Sequence, residues 1–378
     1  MGVLKAIGAI IVIFILLIIV FAVANSTNSS ILSHVVHLPS TSIEPCRVIN
    51  CTAYDNALWN YGESGKGWTG SDGTYSLALP NGTVMWLFDD TYLWYGFNAN
   101  NDTRNQSSPY IHNSIVLERN GTFYKTLIGN RDGQNDAYIY PQNPSCWFWP
   151  GPAIISGNTI QILMGDFSSS YGFHGTYLAC LYLDNLSIEG IRELQSGNIQ
   201  WDQWICSSNS TLYIFGIYNN TTDAYLAKVS GNSLLGDWQY YNGNGWSNSS
   251  SDAAPFFDYV TNGYSVTRIC QHYALITTDA TDYPLSAFDG KIYAYFSKNI
   301  TGPYSCQTLL YTTPEESLCT SYQSVFTVWT YGPHVQSVSL NHIILSYNVN
   351  AISNSKSYNT IPNASIYRPR FIEIFFKA

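Results

Sequence analysis

Three aspartates stand where they could act together. Asp72 lies in Ser71-Asp72-Gly73-Thr74, Asp90 closes Leu87-Phe88-Asp89-Asp90, and Asp202 follows Gln200-Trp201. Two carboxylates facing one bond can divide acid–base work. One protonates a departing oxygen while the other activates water or attacks carbon, which is the chemistry of glycosidic cleavage. Sugar binding has a second signature, flat aromatic faces beside hydrogen-bonding groups. Trp147 and Trp149 flank Phe148, and Trp68, Trp94, Trp201 and Trp204 also lie near strand entries. His112 and Asn113 precede an apolar run, His334 follows Gly332-Pro333, and Arg368 and Arg370 share Tyr-Arg-Pro-Arg. Each has a structural alternative. Asp72 suits a capped Asp-Gly turn. The tryptophans suit packing between sheets, the histidines a buried hydrogen bond, and the arginines pairing with carboxylates.

The elements that would carry these groups form a repeat. Tyr75 to Leu79 and Val84 to Phe88 flank Pro80-Asn81-Gly82. Asn-Gly between two apolar runs predicts a tight hairpin, because both residues tolerate positive φ. A hairpin returns its open ends to one place, so Asp72 should meet Asp89 and Asp90 on one rim. The same strand–turn–strand phrase recurs at 151–166, 202–218, 264–279 and 333–348, with turns at Gly157, Asn209, Gln271 and Asn341. Further strand-like runs follow each hairpin, at a spacing of roughly 50 to 75 residues, which suits four-stranded antiparallel blades with variable loops. Five copies predict an all-β fold, a five-bladed β-propeller over 56–378. Stacking around an axis buries the two apolar faces of each blade, and ring closure protects the edges. The apolar C-terminal run 371–376 would complete a blade begun near the start of the domain. Leu186 to Leu194 reads as one short turn of helix. The first residues of each inner strand line one funnel, which makes Asp72, Trp149, Asp202, Tyr264 and His334 rim candidates.

Composition agrees with strands. Charged residues make up 11% of the 378, against 30 Tyr, 17 Phe and 11 Trp; long exposed helices need far more Lys and Glu. The net charge is −9 with no basic cluster, which argues against a nucleic-acid partner. Lys5 precedes nineteen residues without a charge, Ala6 to Ala24. That length can span a bilayer, and Ala22-Val23-Ala24 also fits a signal cleavage site. We therefore expect residues 1–24 to be a signal peptide or a transmembrane signal anchor, and 25–55, rich in Ser, Asn and Thr, to be a stalk. An uncleaved leader makes the membrane a partner. Either form predicts an extracellular or cell-surface location. Fourteen Asn-x-Ser/Thr sequons and an even count of eight cysteines fit export, glycosylation and disulfides. No Cys-x-x-Cys occurs, which disfavours zinc; Cys46–Cys51 and Cys306–Cys319 are the local pairs expected. The esterase motif G-x-S-x-G, the zincin motif H-E-x-x-H and the P-loop are all missing from the sequence.

The phrases GSDGTYSLALPNGTVMWLFDDTYL, HNSIVLERNG, WFWPGPAIISGNTIQILM, YLAKVSGNSLLGDWQYYNGNGW, ILSYNVN and YRPRF resemble secreted five-bladed propellers of the DUF5005 and DUF4185 kind. That group resembles furanosidase-like glycoside hydrolases, including family 43, in architecture. The resemblance spans about Asn56 to Phe376. It implies acids on the inner strands of the first three blades: Asp72 matches the first and would be the base, and Asp202 opens the third and would be the acid. The second opens on Trp149-Pro150-Gly151-Pro152 without an acid, and Asp90 is the nearest substitute, as a modulator that orients a partner. Substrate contacts would come from Trp147, Trp149, His112, Asn113, His334 and Arg368, with carbohydrate as the partner. No cofactor is expected; the resemblance offers only a metal ion or water beside His334. The missing second-blade acid keeps a second reading open, a non-enzymatic adhesion or scaffold propeller at the cell surface.

Overall fold

The computed structural model describes residues 43–93, 97–98, 103–104, 108–170, 172–281, 289–315, 326–353 and 364–377. The expected leader lies outside them, as do most of the stalk, Trp94 and Cys319. Among the described residues no helix is long and apolar enough to cross a membrane.

The chain enters on β1 (Pro45–Asn50) and the helix α1 (Thr52–Glu63), then β2 (Trp68–Ser71). The first large sheet uses β3 (Tyr75–Ala78) and β4 (Thr83–Phe88). After β5 (Thr91–Leu93), β6 (Phe97–Asn98), β7 (Thr103–Arg104) and β8 (Tyr110–Ile111), it is completed by β9 (Ser114–Arg119) and β10 (Thr122–Leu127). A small hairpin, β11 (Gly129–Arg131) and β12 (Gln134–Asp136), leads to the second sheet: β13 (Cys146–Ser156), β14 (Thr159–Ser168), β15 (Gly172–Tyr182) and β16 (Ile188–Ser196). The third runs β17 (Ile199–Ser208), β18 (Thr211–Tyr218), β19 (Ala224–Ser230), β20 (Trp238–Tyr241) and β21 (Trp246–Ser247). The fourth is β22 (Ser265–Ile269), β23 (His272–Thr278), β24 (Lys291–Ser297) and β25 (Ser305–Thr312). In the fifth, β26 (Phe326–Val338), β27 (His342–Ser353) and β28 (Arg370–Phe376) are joined by β1, paired antiparallel to β28.

The described fold is all-β, with every ladder of these sheets antiparallel. Contacts link the first strands in succession: β3 to β13, β13 to β17, β17 to β22, β22 to β26, and β26 back to β3. The alternation of side chains along a strand then gives each sheet two apolar faces. Ile162 and Met164 pack with Met85 and Ile115 of the first sheet. Their neighbour Leu163 packs with Ile214 and Ala227 of the third. Similar cores join the third sheet to the fourth and the fourth to the fifth. Between the fifth and the first, α1 inserts Leu58 and Tyr61 beside Trp68, Trp86 and Phe371.

Every expected hairpin turn falls between paired strands. At the first, Gly82 takes φ +79°, the left-handed conformation for which the turn needs glycine. Four expectations are corrected. Residues 45–55 are not stalk: β1 closes the fifth sheet and α1 covers the seam beside it. Apolar Leu58, Tyr61 and Trp68 supply the burial that fixes this helix, and its short, weakly amphipathic stretch hid it. The stretch Leu186 to Leu194 is not helical. From Ile188 it forms the outer strand β16, whose mostly exposed side chains give no alternating pattern. The Cys46–Cys51 bridge does not form, and both thiols are free. Five residues of extended strand separate their Cα atoms by about 16 Å, far beyond disulfide reach. Finally, Tyr264 is fully buried and donates to the Gly216 carbonyl at 2.8 Å, so it does not line a rim.

Candidate active site

The site begins where the first hairpin opens. The Asp89 amide donates to the Asp72 carbonyl at 2.9 Å, so the ends of β3 and β4 meet. Asp72 is half-buried. Its Oδ2 accepts from the Tyr331 hydroxyl at 2.6 Å and its Oδ1 from the Tyr367 hydroxyl at 3.1 Å. Burial pushes the Asp72 carboxyl up to about 7, and the neighbouring Asp90 adds to the rise; the two phenols pull the other way. Asp89 is driven well above the carboxylate range, first by burial and then by Asp72, Asp90 and Asp202. Its electrostatic neighbours show that Asp202, more than a hundred residues away in sequence, converges on the same cluster.

Asp202 enters from β17. It is 7% exposed, and its Oδ1 accepts from the Gln203 side-chain amide at 2.9 Å. A Cβ at Gly165 would overlap Oδ2 of Asp202, so the lack of a side chain there admits the carboxyl. Burial raises this carboxyl to about 6, with the Gln203 hydrogen bond opposing the rise. The Tyr75 hydroxyl lies 3.5 Å from the Asp202 carbonyl and 3.3 Å from that of Gln203. His334 stacks on Tyr75 at 4.0 Å between centroids and lies over Trp204 at 5.7 Å.

Asp90 is an orienting post. Its Oδ1 receives His112 Nδ1 at 2.8 Å and Trp149 Nε1 at 2.9 Å. His112, one-third exposed, stacks on Trp147 at 4.7 Å and 17°, and Trp149 packs on Phe167 at 4.5 Å. His112, Trp147, Trp149 and Asp90 thus form one aromatic wall next to the acids.

The other expected contacts have different surroundings. Asn113 is buried. Its amide donates to the carbonyls of Ile139 (2.6 Å) and Phe148 (2.9 Å), and its Oδ1 accepts from the Ile139 amide at 2.9 Å. Both donors are spent on fastening the loop before β13. Arg368 is 0% exposed, donates to the Thr69 carbonyl at 2.8 Å and reaches Glu63 of α1 at 3.4 Å. Arg370 pairs with Glu315 at 3.3 Å. Arg368 binds the seam between the fifth and first sheets, and Arg370 ties β28 to the segment that follows β25. Trp68 and Trp201 are core residues.

His334 is buried, and Nδ1 lies 2.9 Å from the Thr74 carbonyl, an acceptor that fixes the proton on Nδ1. Burial lowers the imidazole to about 4, so Nε2 presents a lone pair at neutral pH. The imidazole, which packs beside Tyr75 and Trp204, offers a metal ion this one nitrogen. Among the described residues no three His, Cys, Asp or Glu side chains group to hold one.

Sequence reasoning put Asp89 on one rim with Asp72 and Asp90 but gave it no role, and it missed Tyr331, Tyr367 and Tyr110, the last a hydrogen-bond partner of Asp90. Asp89 was visible beside Asp90. The tyrosines were not, because a tyrosine-rich chain gives no sign of which phenols face an acid.

Fold and site define a class: an all-β ring of antiparallel sheets with a carboxylate cluster where the first strands open. The chain belongs to the family described as Domain of unknown function (DUF5005), whose model matches residues 55–376. Among solved structures it is similar to a Bacteroides ovatus ATCC 8483 protein provisionally described as a hydrolase. The two share 18% identity at a TM-score of 0.71, over 89% of this chain and 96% of that one. It also matches an exo-beta-1,3-galactanase of Phanerochaete chrysosporium at 11% identity and TM-score 0.47, over 80% of this chain and 60% of that one. A third match is the catalytic domain of a Coprinopsis cinerea GH62 alpha-L-arabinofuranosidase, at 11% identity and TM-score 0.44, over 82% and 92%. At these identities the likeness concerns the fold alone. No curated protein matches the sequence.

Proposed function

We propose that this protein is a five-bladed β-propeller that hydrolyses glycosidic bonds at the mouth formed by Asp72, Asp89, Asp90 and Asp202. The carrying observation is that Asp89 lies in the electrostatic reach of the other three while Asp72 and Asp202 titrate near 7 and 6. The ring of first strands supports five blades. A general acid must hold a proton near working pH and a base must be able to take one, and burial tunes carboxyls into that range. Asp202 gives its proton to the leaving oxygen, from the minority form in which the proton sits on Asp202 and Asp72, the tighter proton holder, is ionised. Asp72, steadied by Tyr331 and Tyr367, takes a proton from the attacking water. Asp90 does the positioning, holding His112 and Trp149 as a wall for the sugar ring. The leader and the sequons support action outside the cell, with the membrane as anchor if the leader is kept.

The test pairs a glycan array with reducing-sugar release, on wild type and Asp72→Asn. Turnover lost with binding kept is the expected result. Wild type that binds glycans without cleaving any selects the adhesion reading, and wild type that binds none removes both.

A further inference from the structure

Tyr367 is held in an unfavourable conformation. Its φ is +79°, in the left-handed region where a residue with a bulky side chain is strained unless its surroundings enforce it. Its amide donates to the Val349 carbonyl at 2.9 Å, and the carbonyls before it are held by a residue far off in the sequence. Arg104 Nη1 donates to the Ile366 carbonyl at 3.1 Å and Nη2 to the Ala364 carbonyl at 2.8 Å. The same guanidinium binds Thr69 through Nη2 to the carbonyl (2.7 Å) and Nε to Oγ1 (3.3 Å). It lies over the Tyr92 ring at 5.3 Å, and Tyr92 meets Tyr367 edge-on at 5.6 Å. A Cβ on Gly70 would overlap both Arg104 Nη2 and the Tyr367 carbonyl, so this approach needs glycine. The planar fork of arginine suits several carbonyls at once; a lysine ammonium is a point charge on a flexible stem.

We propose that Arg104 is a positioning residue for the base: by gathering the carbonyls before Tyr367 against Thr69, it holds the Tyr367 hydroxyl on Asp72. The catalytic meaning of this rests on the hydrolase reading, but the geometry does not. Around Asp72 stand Tyr331 and Tyr367 from the fifth-sheet side, Asp89 and Asp90 from the first sheet, and Tyr92 and Tyr110 beside them. Of these, Tyr367 is the one that Arg104 fixes through the backbone.

The experiment follows the carboxyl carbon of Asp72 by NMR through a pH titration of aspartate-labelled protein, with the signal assigned from Asp72→Asn. Tyr367→Phe removes one donor to the carboxylate and raises the midpoint by about 0.5 to 1 pH unit. Arg104→Gln is expected to raise it similarly without touching Asp72, and Arg104→Lys by less. A folded Arg104→Gln protein with the wild-type midpoint, while Tyr367→Phe moves, overturns the proposal. If Arg104→Gln does not fold, Arg104→Lys decides by the same criterion. No substrate enters the measurement, so a wild type without glycosidase activity refutes the hydrolase reading and leaves this result standing.

Discussion

Replacing Asp202 with asparagine should stabilise the fold while removing turnover. The carboxyl is 7% exposed and titrates at about 6, against 3.8 for the ordinary group. The folded protein therefore binds a proton that the unfolded chain has already released between these values. Stability from this group is complete below about pH 4 and is lost as pH rises through 6. A difference of about 2 pH units at about 1.4 kcal/mol each makes ionised Asp202 cost about 3 kcal/mol at pH 8. Asparagine has no charge to bury, and its oxygen can still accept from Gln203. Thermal melts at pH 4 and pH 8 read the effect. The variant should melt with the wild type at pH 4 and about 5 °C above it at pH 8. His334 works in the opposite sense in this window: its imidazole is lowered to about 4, so its contribution is lost as pH falls below 6.5. The variant–wild-type difference removes that contribution, because both proteins keep His334. A gap that is the same at both pH values, or an asparagine variant less stable at pH 8, refutes the argument from burial.

Three further outcomes are expected. Tyr331→Phe deletes the shorter phenol donor to Asp72 and, because Asp72 at about 7 lies above Asp202 at about 6, should move the alkaline limb of the kcat/KM profile up by about 0.5 to 1 pH unit; an unmoved alkaline limb separates Asp72 from the base role. Asn113→Ala strands the buried polar groups of Ile139 and Phe148 and should cost about 2–4 kcal/mol in urea unfolding; a loss under about 1 kcal/mol contradicts its role as a fastener. His334→Gln removes the group that resists protonation, so its stability should fall less than that of the wild type between pH 6.5 and 4, which melts across that range will show.

The hairpins were legible because their information is local. Asn81-Gly82 names its own turn, and alternating runs such as Thr83–Phe88 name their strands. That Asp72, Asp90 and Asp202 come together was legible for a related reason: in a repeat of hairpins, the start of each first strand and the end of the strand after it share one end. What stayed hidden depended on distant partners. Asn113 and Arg368 had the chemistry of ligand contacts, and only the fold shows their donors turned to Ile139, Phe148, Thr69 and Glu63. β16 was hidden because an outer strand with solvent on its side chains carries no period-two pattern.

The surroundings of Asp72 are assembled from distant parts of the chain. Asp72 belongs to the first sheet, yet both phenols on its carboxylate, Tyr331 and Tyr367, come from the last part of the sequence. The fifth sheet needs β1 beside β28, and Arg104 and Arg368 both grip Thr69 while reaching into the segment 364–368. Opening that seam would take the two donors away from Asp72 and leave its carboxyl beside Asp90 without them. Charge repulsion in the mouth therefore opposes closure, and the arginines and phenols offset it only when the last sheet is in place. On this arrangement the hydrogen-bonded state of the Asp72 carboxyl exists only once the last sheet is in place.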